Sequence, residues 1–371
     1  MRVLVVNAGS SSLKLSALDD DDLVATQRLT IRPDSRIDET SVQQFTHRVG
    51  QVDAVGHRVV HGGTEFGGAV VIDEEVRNRL EALADLAPLH QLKSLAALDA
   101  VSAVLPDVPA VACFDTAFHA TIPASAATYA LPAEWRRRWP LRRFGFHGLS
   151  HAYVSRRAAQ LLGRPVESLR IVSCHLGAGA STAAIDGGRS VDTTMGFTPL
   201  EGLVMATRSG SVDPGLILWL EEHAGIPPDE LASALEHDSG LKGLAGSADF
   251  ATVLNEAAKG SPDAGLAVGV YVHRLRAAIA AMAAAMGGLD VLVFTGGVGE
   301  NSAVVRERSV APLGFLGVRL DPALNDDAVP DAEVTATGSE VRTLVIEARE
   351  DLEIVAQTRA LFGRLPGSNQ P

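Results

Sequence analysis

Val3-Leu4-Val5-Val6-Asn7-Ala8-Gly9-Ser10-Ser11-Ser12-Leu13-Lys14-Leu15 reads as an apolar strand, a glycine–serine turn and a second strand. A short apolar run of β-favouring residues ahead of such a turn marks a buried strand. Glycine lets backbone N–H groups approach an anion with no Cβ in the way. The same grammar returns at Ile171-Val172-Ser173-Cys174, which leads into His175-Leu176-Gly177-Ala178-Gly179-Ala180-Ser181 and then the strand-like Thr182-Ala183-Ala184-Ile185. It returns again at Val291-Leu292-Val293-Phe294, ahead of Thr295-Gly296-Gly297-Val298-Gly299-Glu300-Asn301. A strand–turn–strand device used twice, far apart, predicts a duplicated α/β architecture with a cleft between its halves. The spacing is too long for a solenoid.

The rest of the chain agrees with two α/β domains. Its 371 residues exceed one ordinary core. With 46% hydrophobic and 21% charged residues it can bury a core and is not disordered. Helical patterning covers residues 74–87, 149–162 and 264–286. The net charge of -13 argues against a nucleic-acid binder, which needs a basic face. A nucleotide site survives that objection, because a few local cations and a metal override the global sign. Cys113 and Cys174 sit in apolar, strand-like contexts and read as free buried thiols of a reducing compartment. The first apolar run is too short for a signal peptide. The Ala-rich stretch 277–294 is broken by Gly287, Gly288 and Asp290, which reads as a buried helix and strand, not a membrane span. These features predict a cytoplasmic enzyme with no membrane or nucleic-acid partner. Asp19-Asp20-Asp21-Asp22 reads as a solvated turn, and residues 367–371 as a frayed tail.

No Walker loop, Rossmann fingerprint, zincin helix or nucleophile elbow is present. The chemistry lies in other short segments. Ser10, Ser12 and Lys14 put hydroxyl and ammonium donors around a glycine turn, as an anion requires. Arg58, in Gly56-His57-Arg58-Val59-Val60-His61-Gly62-Gly63, is flanked by apolar residues and glycines. A buried arginine is rare unless paired. It either holds a substrate carboxylate by two parallel hydrogen bonds or pairs with an acid of the protein. Phe114-Asp115-Thr116-Ala117-Phe118-His119 places a carboxylate just after a strand, either as an active-site acid or as a helix N-cap. His147, in Arg142-Arg143-Phe144-Gly145-Phe146-His147-Gly148, reads as a site group or a core histidine, and Arg208, in Thr207-Arg208-Ser209-Gly210, as a second site cation or a surface arginine.

In their order along the chain these segments resemble the acetate kinase family, from residue 1 to about 356. The carriers are Asn7-Ala8-Gly9-Ser10-Ser11-Ser12-Leu13-Lys14, His57-Arg58-Val59-Val60-His61-Gly62-Gly63, Phe114-Asp115-Thr116-Ala117-Phe118-His119, Gly145-Phe146-His147-Gly148, residues 195–208 and Gly297-Val298-Gly299-Glu300-Asn301. The resemblance implies two related actin/hexokinase-like (ribonuclease H-like) α/β domains around a central nucleotide cleft. It implies reversible phosphoryl transfer from ATP to acetate with Mg²⁺ or Mn²⁺, in a homodimer. The expected domains are 1–116 plus 352–371, with the C-terminal helix, and 117–351, with most of the nucleotide site. Carried over residue by residue, Asn7 and Glu350 lie near the metal, and Ser10, Ser12 and Lys14 near the phosphates. Arg58, Arg208, Asp115 and His147 are catalytic, with Arg58 also on the substrate carboxylate. Val60, Leu89, Phe146 and Pro199 form the methyl pocket. His175-Leu176-Gly177-Ala178-Gly179, Asp249-Phe250-Ala251 and Gly297-Val298-Gly299-Glu300-Asn301 line the nucleotide.

The chain also departs from the family pattern. Ala178 stands where the family usually has Asn, and Ala251 where it has an Arg packed by the adenine. Gln91-Leu92-Lys93 replaces Asn-Pro-Pro, Ser211 replaces an acid, and the segment 19–56 is short. The phosphate-handling cations persist while the purine site is weakened. This leaves open another phosphate donor, and propionate or butyrate as acceptor. A catalytically silent nucleotide-binding protein would have lost Arg58, Arg208, Asp115 or His147, and all four are present.

Overall fold

The computed structural model describes residues 1–9, 12–30, 37–84 and 88–362, without the side chains of 88–90. Ser10 therefore lies outside the described residues, as do the side chain of Leu89 and the tail 367–371. The chain divides into two units. Unit 1 is Met1–Ala120, Phe146–Tyr153 and Arg349–Pro371; unit 2 is Thr121–Gly145 and Val154–Ala348.

Unit 1 contains β1 (Arg2–Ala8), β2 (Ser12–Asp19), β3 (Asp22–Thr30), β4 (Ala54–Val59), β5 (Val70–Val71) and β6 (Ala110–Phe114). They form a sheet in the order β3-β2-β1-β4-β6-β5. β1, β2 and β3 are successive antiparallel neighbours, β4 runs parallel to β1, and β6 parallel to β4. Alternation along the strands feeds two cores. Leu4 and Val6 pack with Val42 and Phe45 of the helix Glu39–Val49 and with Ala97 and Val101 of the helix Pro88–Val104. Val3, Val5, Val111 and Cys113 meet Ile354 and Val355 of the helix Glu350–Phe362. Gly56 is what lets that last helix come close. A Cβ there would stand 2.4 Å from Ile354 Cγ2 and 2.8 Å from Thr358 Oγ1.

Unit 2 repeats the plan with β7 (Arg170–Leu176), β8 (Ala180–Asp186), β9 (Arg189–Thr193), β10 (Val291–Thr295), β11 (Ala332–Glu333) and β12 (Arg342–Val345), in the order β11-β12-β10-β7-β8-β9. Each strand of unit 1 has its counterpart six strands later, with the same parallel and antiparallel neighbours. The duplication expected from the recurring strand–turn segments is thus present in strand order and direction. The helix Pro262–Ala285 is long and apolar enough to cross a membrane, but it turns Val268, Val272, Leu275 and Ile279 into the core of unit 2. Predicted helix 74–87 is shorter here, Glu74–Ala82, and residues 85–87 lie outside the described set. Cys113 and Cys174 are buried free thiols.

Candidate active site

In parallel α/β sheets, ligands bind beyond the carboxyl ends of the strands. In unit 1 those ends carry Asn7 on β1, Arg58 on β4 and Asp115 just after β6. By alternation all three share the face covered by the helix Glu350–Phe362, whose first residue is Glu350. The close approach at Gly56 delivers that carboxylate to the group.

The four side chains form one network. Arg58 Nε and Nη2 donate to the two oxygens of Asp115 at 3.0 and 2.6 Å. Arg58 Nη1 donates to Asn7 Oδ1 at 3.1 Å and lies 3.8 Å from Glu350 Oε2. Asn7 Nδ2 donates to Glu350 Oε2 at 3.1 Å. Asp115 is 1% exposed. Burial pushes its carboxyl upward and Glu350 adds to the push, whereas the Arg58 charge, its hydrogen bonds and the His147 backbone N–H pull the other way. A bidentate guanidinium partner at these distances keeps it a carboxylate. Burial alone would lower the Arg58 pKa, but Asp115 and then Glu350 hold it above the ordinary arginine value. The sequence left open whether Arg58 binds substrate or an acid of the protein. The structure gives it the protein acid on two of its five N–H groups and the Asn7 amide oxygen on a third. The remaining two suffice for an incoming anion.

His147 follows in the same unit with φ +56°, a left-handed conformation that costs a non-glycine residue about 1–2 kcal/mol. Gly148 N–H donates to the Asp115 backbone carbonyl at 3.0 Å. A Cβ on Gly148 would stand 2.0 Å from that oxygen, so only glycine allows the approach. Val60 and Phe146 are buried, and the Phe146 ring meets His61 edge-on at 5.5 Å. Lys14 lies opposite Asn7 in the β1–β2 register, and Ser12 closes the intervening turn by accepting Gly9 N–H at 2.8 Å.

Unit 2 holds the other candidates. Gly177, Ala178, Asp249, Phe250, Ala251, Gly297, Val298 and Asn301 line one cavity of about 340 Å³, which joins three segments far apart in sequence. Leu176, buried, ends β7 just ahead of the Gly177–Gly179 turn, and His175 precedes it in the strand. Glu300 turns its Oε1 to the backbone N–H groups of Gly296 and Ala348, at 2.8 and 2.9 Å. Gly299 is buried behind the cavity wall. The polar side chains on the wall serve helix ends. Asp249 caps Thr252, Ser302 caps Val305, and Asn301 donates to the Gly297 carbonyl. No cation lines the cavity among the described residues. Arg208 donates to the Pro199 carbonyl at 2.8 Å. Burial lowers its pKa, Glu236 opposes this, and the described ion pairs include none made by Arg208.

Sequence reasoning missed several supporting groups. Tyr129 donates to Glu201 at 2.5 Å and receives the Phe197 N–H at 2.9 Å, while Arg143 pairs with Glu201 at 2.7 Å; together they brace the loop ahead of Pro199. Arg306, 2% exposed, donates to the carbonyls of Gly299 and Glu300. His119 closes the motif at residues 114–119, in which the sequence alone assigns it no role. Contacts remote in sequence mark Tyr129, Arg143, Glu201 and His119, and burial marks Arg306.

For a divalent cation, the donor set of unit 1 is Asn7 Oδ1 and the Glu350 carboxylate. The network carries one more negative than positive charge, which suits a cation. Among the described residues no cluster of three or more acid, histidine or cysteine side chains could cage a metal. A Mg²⁺ ion held there would have to take its remaining ligands from substrate phosphates and water, as that ion commonly does.

The chain is similar in sequence and in fold to known proteins. A family model described as the acetokinase family matches residues 25–356. An acetate kinase of Geobacillus kaustophilus is 42% identical over 391 residues, 97% of this chain and 99% of that one. The crystal structure of Porphyromonas gingivalis acetate kinase superposes with a TM-score of 0.89 at 35% identity, covering 97% of this chain and 99% of that chain. A propionate kinase from Francisella tularensis superposes with a TM-score of 0.90 at 33% identity, covering 96% and 98%.

Proposed function

The chain belongs to the acetokinase family, and from that premise we propose the reaction it runs and the residues that run it. It is a phosphotransferase with a carboxyl group as acceptor, an acetate kinase. ATP and a small carboxylate are its substrates. An acetate oxygen attacks the γ-phosphorus, the bond from that phosphorus to the β-phosphate oxygen breaks, and acetyl phosphate and ADP result. The acid is already ionised at neutral pH, so no base has to remove a proton.

The barrier is electrostatic, because one anion attacks another. The observation that carries the reading is the Arg58 network: a guanidinium clamped by Asp115 and Asn7 with N–H groups to spare. Such a preorganised cation stabilises charge that spreads over the equatorial phosphoryl oxygens. The family pattern gives Arg208 the second cation's role, Lys14 the phosphates, and His147 a hydrogen bond to the transferred group. Asp115 holds Arg58 and takes up no proton. Mg²⁺, when bound by Asn7, Glu350 and the phosphates, would offset phosphate charge. Ala178, Phe250, Ala251 and Val298 offer the base an apolar wall.

Propionate is the second reading, favoured by the structural likeness to a propionate kinase at a TM-score of 0.90. One more methylene in an apolar pocket changes binding by only about 1–3 kcal/mol. The helix Pro214–Glu222 exposes Leu216, Leu218 and Trp219, which supports a homodimer. We assign the enzyme to the cytoplasm, where ATP is supplied.

Hydroxamate trapping of the acyl phosphate tests the reading. With Mg²⁺ and ATP, acetate should give product at a rate that Arg58→Ala abolishes. No product from acetate or propionate with any donor would sink it.

A further inference from the structure

His119 is 0% exposed in the short helical turn Ala117–Thr121 that follows Asp115. Its Nε2 lies 3.0 Å from the backbone oxygen of Phe146. A carbonyl oxygen only accepts, so Nε2 carries the proton. Burial brings the imidazole down to about 4, so the ring is neutral with a single N–H. The accepting carbonyl belongs to the peptide that joins Phe146 to His147. The N–H of that peptide is bonded to the Asp115 carboxyl. The next peptide is fixed too, by Gly148 N–H on the Asp115 carbonyl at 3.0 Å, and the His147 carbonyl accepts the His151 N–H at 2.9 Å. The His119 ring itself is held edge-on against His151 at 5.7 Å and against Phe118 at 5.6 Å.

We propose that His119 is a positioning residue for phosphoryl transfer: its Nε2–H fixes the peptide before His147 and thereby aims the His147 imidazole. The proposal rests on the reading of His147 as a group that bonds the transferred phosphoryl. A left-handed non-glycine residue persists only where its surroundings over-determine it. Here both ends of the entering peptide are held, one by His119 and one by the catalytic carboxylate. Without the donor, the Phe146 carbonyl can rotate, φ of His147 relaxes, and the imidazole swings away. His119 touches no reacting atom and acts through His147.

Transfer from ATP to acetate is measured for wild type, His119→Leu, His119→Gln, His147→Ala and the His119→Leu/His147→Ala double variant. Loss of aim by about an ångström should lower kcat of His119→Leu by roughly 10²-fold, with KM for ATP unchanged. Glutamine carries an amide N–H near the Nε2 position and should recover most of the loss. In the His147→Ala background, His119→Leu should cost nothing more. Wild-type kcat in His119→Leu, or the same fold-loss in both backgrounds, overturns the proposal. Should the leucine variant not fold, His119→Asn, too short to reach the carbonyl, replaces it in both backgrounds. NMR of ¹⁵N-histidine-labelled wild type supplies a readout that needs no variant. An Nε2-protonated His119 at neutral pH is expected, and the Nδ1–H tautomer contradicts it. A wild type that phosphorylates no acid would instead defeat the functional reading on which the proposal rests.

Discussion

Arg58, near the end of β4, and Asp115, just past its parallel neighbour β6, meet through two hydrogen bonds, at 3.0 and 2.6 Å. The carboxylate is buried and the guanidinium still has N–H groups to offer, which is the arrangement behind the proposed role of Asp115 as the fixed counter-ion of Arg58.

Removing one partner of a buried pair leaves the other uncompensated, at a cost of about 3–5 kcal/mol. Arg58→Ala should lower unfolding stability by that amount in urea titration and abolish transfer. Adding Asp115→Asn to Arg58→Ala should restore much of the stability and none of the activity.

Asp115→Asn alone should lower the whole pH–rate profile without moving its acid limb, and should weaken metal affinity. Loss of an acid-limb pKa with metal affinity intact would mean that Asp115 accepts a proton in the reaction.

Gly148→Ala should be poorly tolerated, because the new methyl would stand 2.0 Å from the Asp115 carbonyl. Overpacking of this kind costs about 1–3 kcal/mol. The strained His147 beside it moves as well, so kcat should fall more than thermal stability suggests.

His57, His61 and His119 are buried, and burial brings each from 6.5 to about 4. For His57, Asp99 opposes the shift slightly. Below pH 6.5 the unfolded chain binds protons that the folded chain refuses. Their stability contribution is therefore complete above 6.5 and is lost as pH falls toward 4. The slope approaches about 1.4 kcal/mol per pH unit for each histidine. Urea midpoints measured from pH 7 to pH 4.5 should fall accordingly, and replacing one of these histidines with an apolar residue should flatten the slope.

The cavity proposed to take the nucleotide has no cationic lining among its described residues, and Ala251 stands at the family's arginine position. A cation over the base is worth about 0.5–2 kcal/mol. Ala251→Arg should therefore lower KM for ATP several-fold and leave that for acetate unchanged. Wild type assayed with ATP, GTP and pyrophosphate should separate the donors less sharply than the variant does.

Much of this was legible in the chain. Strand β1, its glycine–serine turn and the repeat at β7 announced two α/β units, because buried strands and glycine turns are local patterns. Asn7, Arg58, Asp115 and His147 were identifiable as polar residues where apolar runs stop. Their partners were not. The choice of Asp115 for Arg58 depends on β4 and β6 being parallel neighbours, and the arrival of Glu350 on the space left by Gly56. Tyr129 and Glu201 carry no local signature, since their contacts lie far off in the chain.

The sequence by itself determined the duplicated fold class, the family and the cations available, because each is written in short runs of neighbouring residues. Tertiary structure alone decided the hand that holds them: which acid clamps Arg58, which histidine pins the peptide before His147, and which capping side chains leave the nucleotide wall apolar. Those choices depend on strand order and helix docking, which juxtapose residues that the chain keeps far apart.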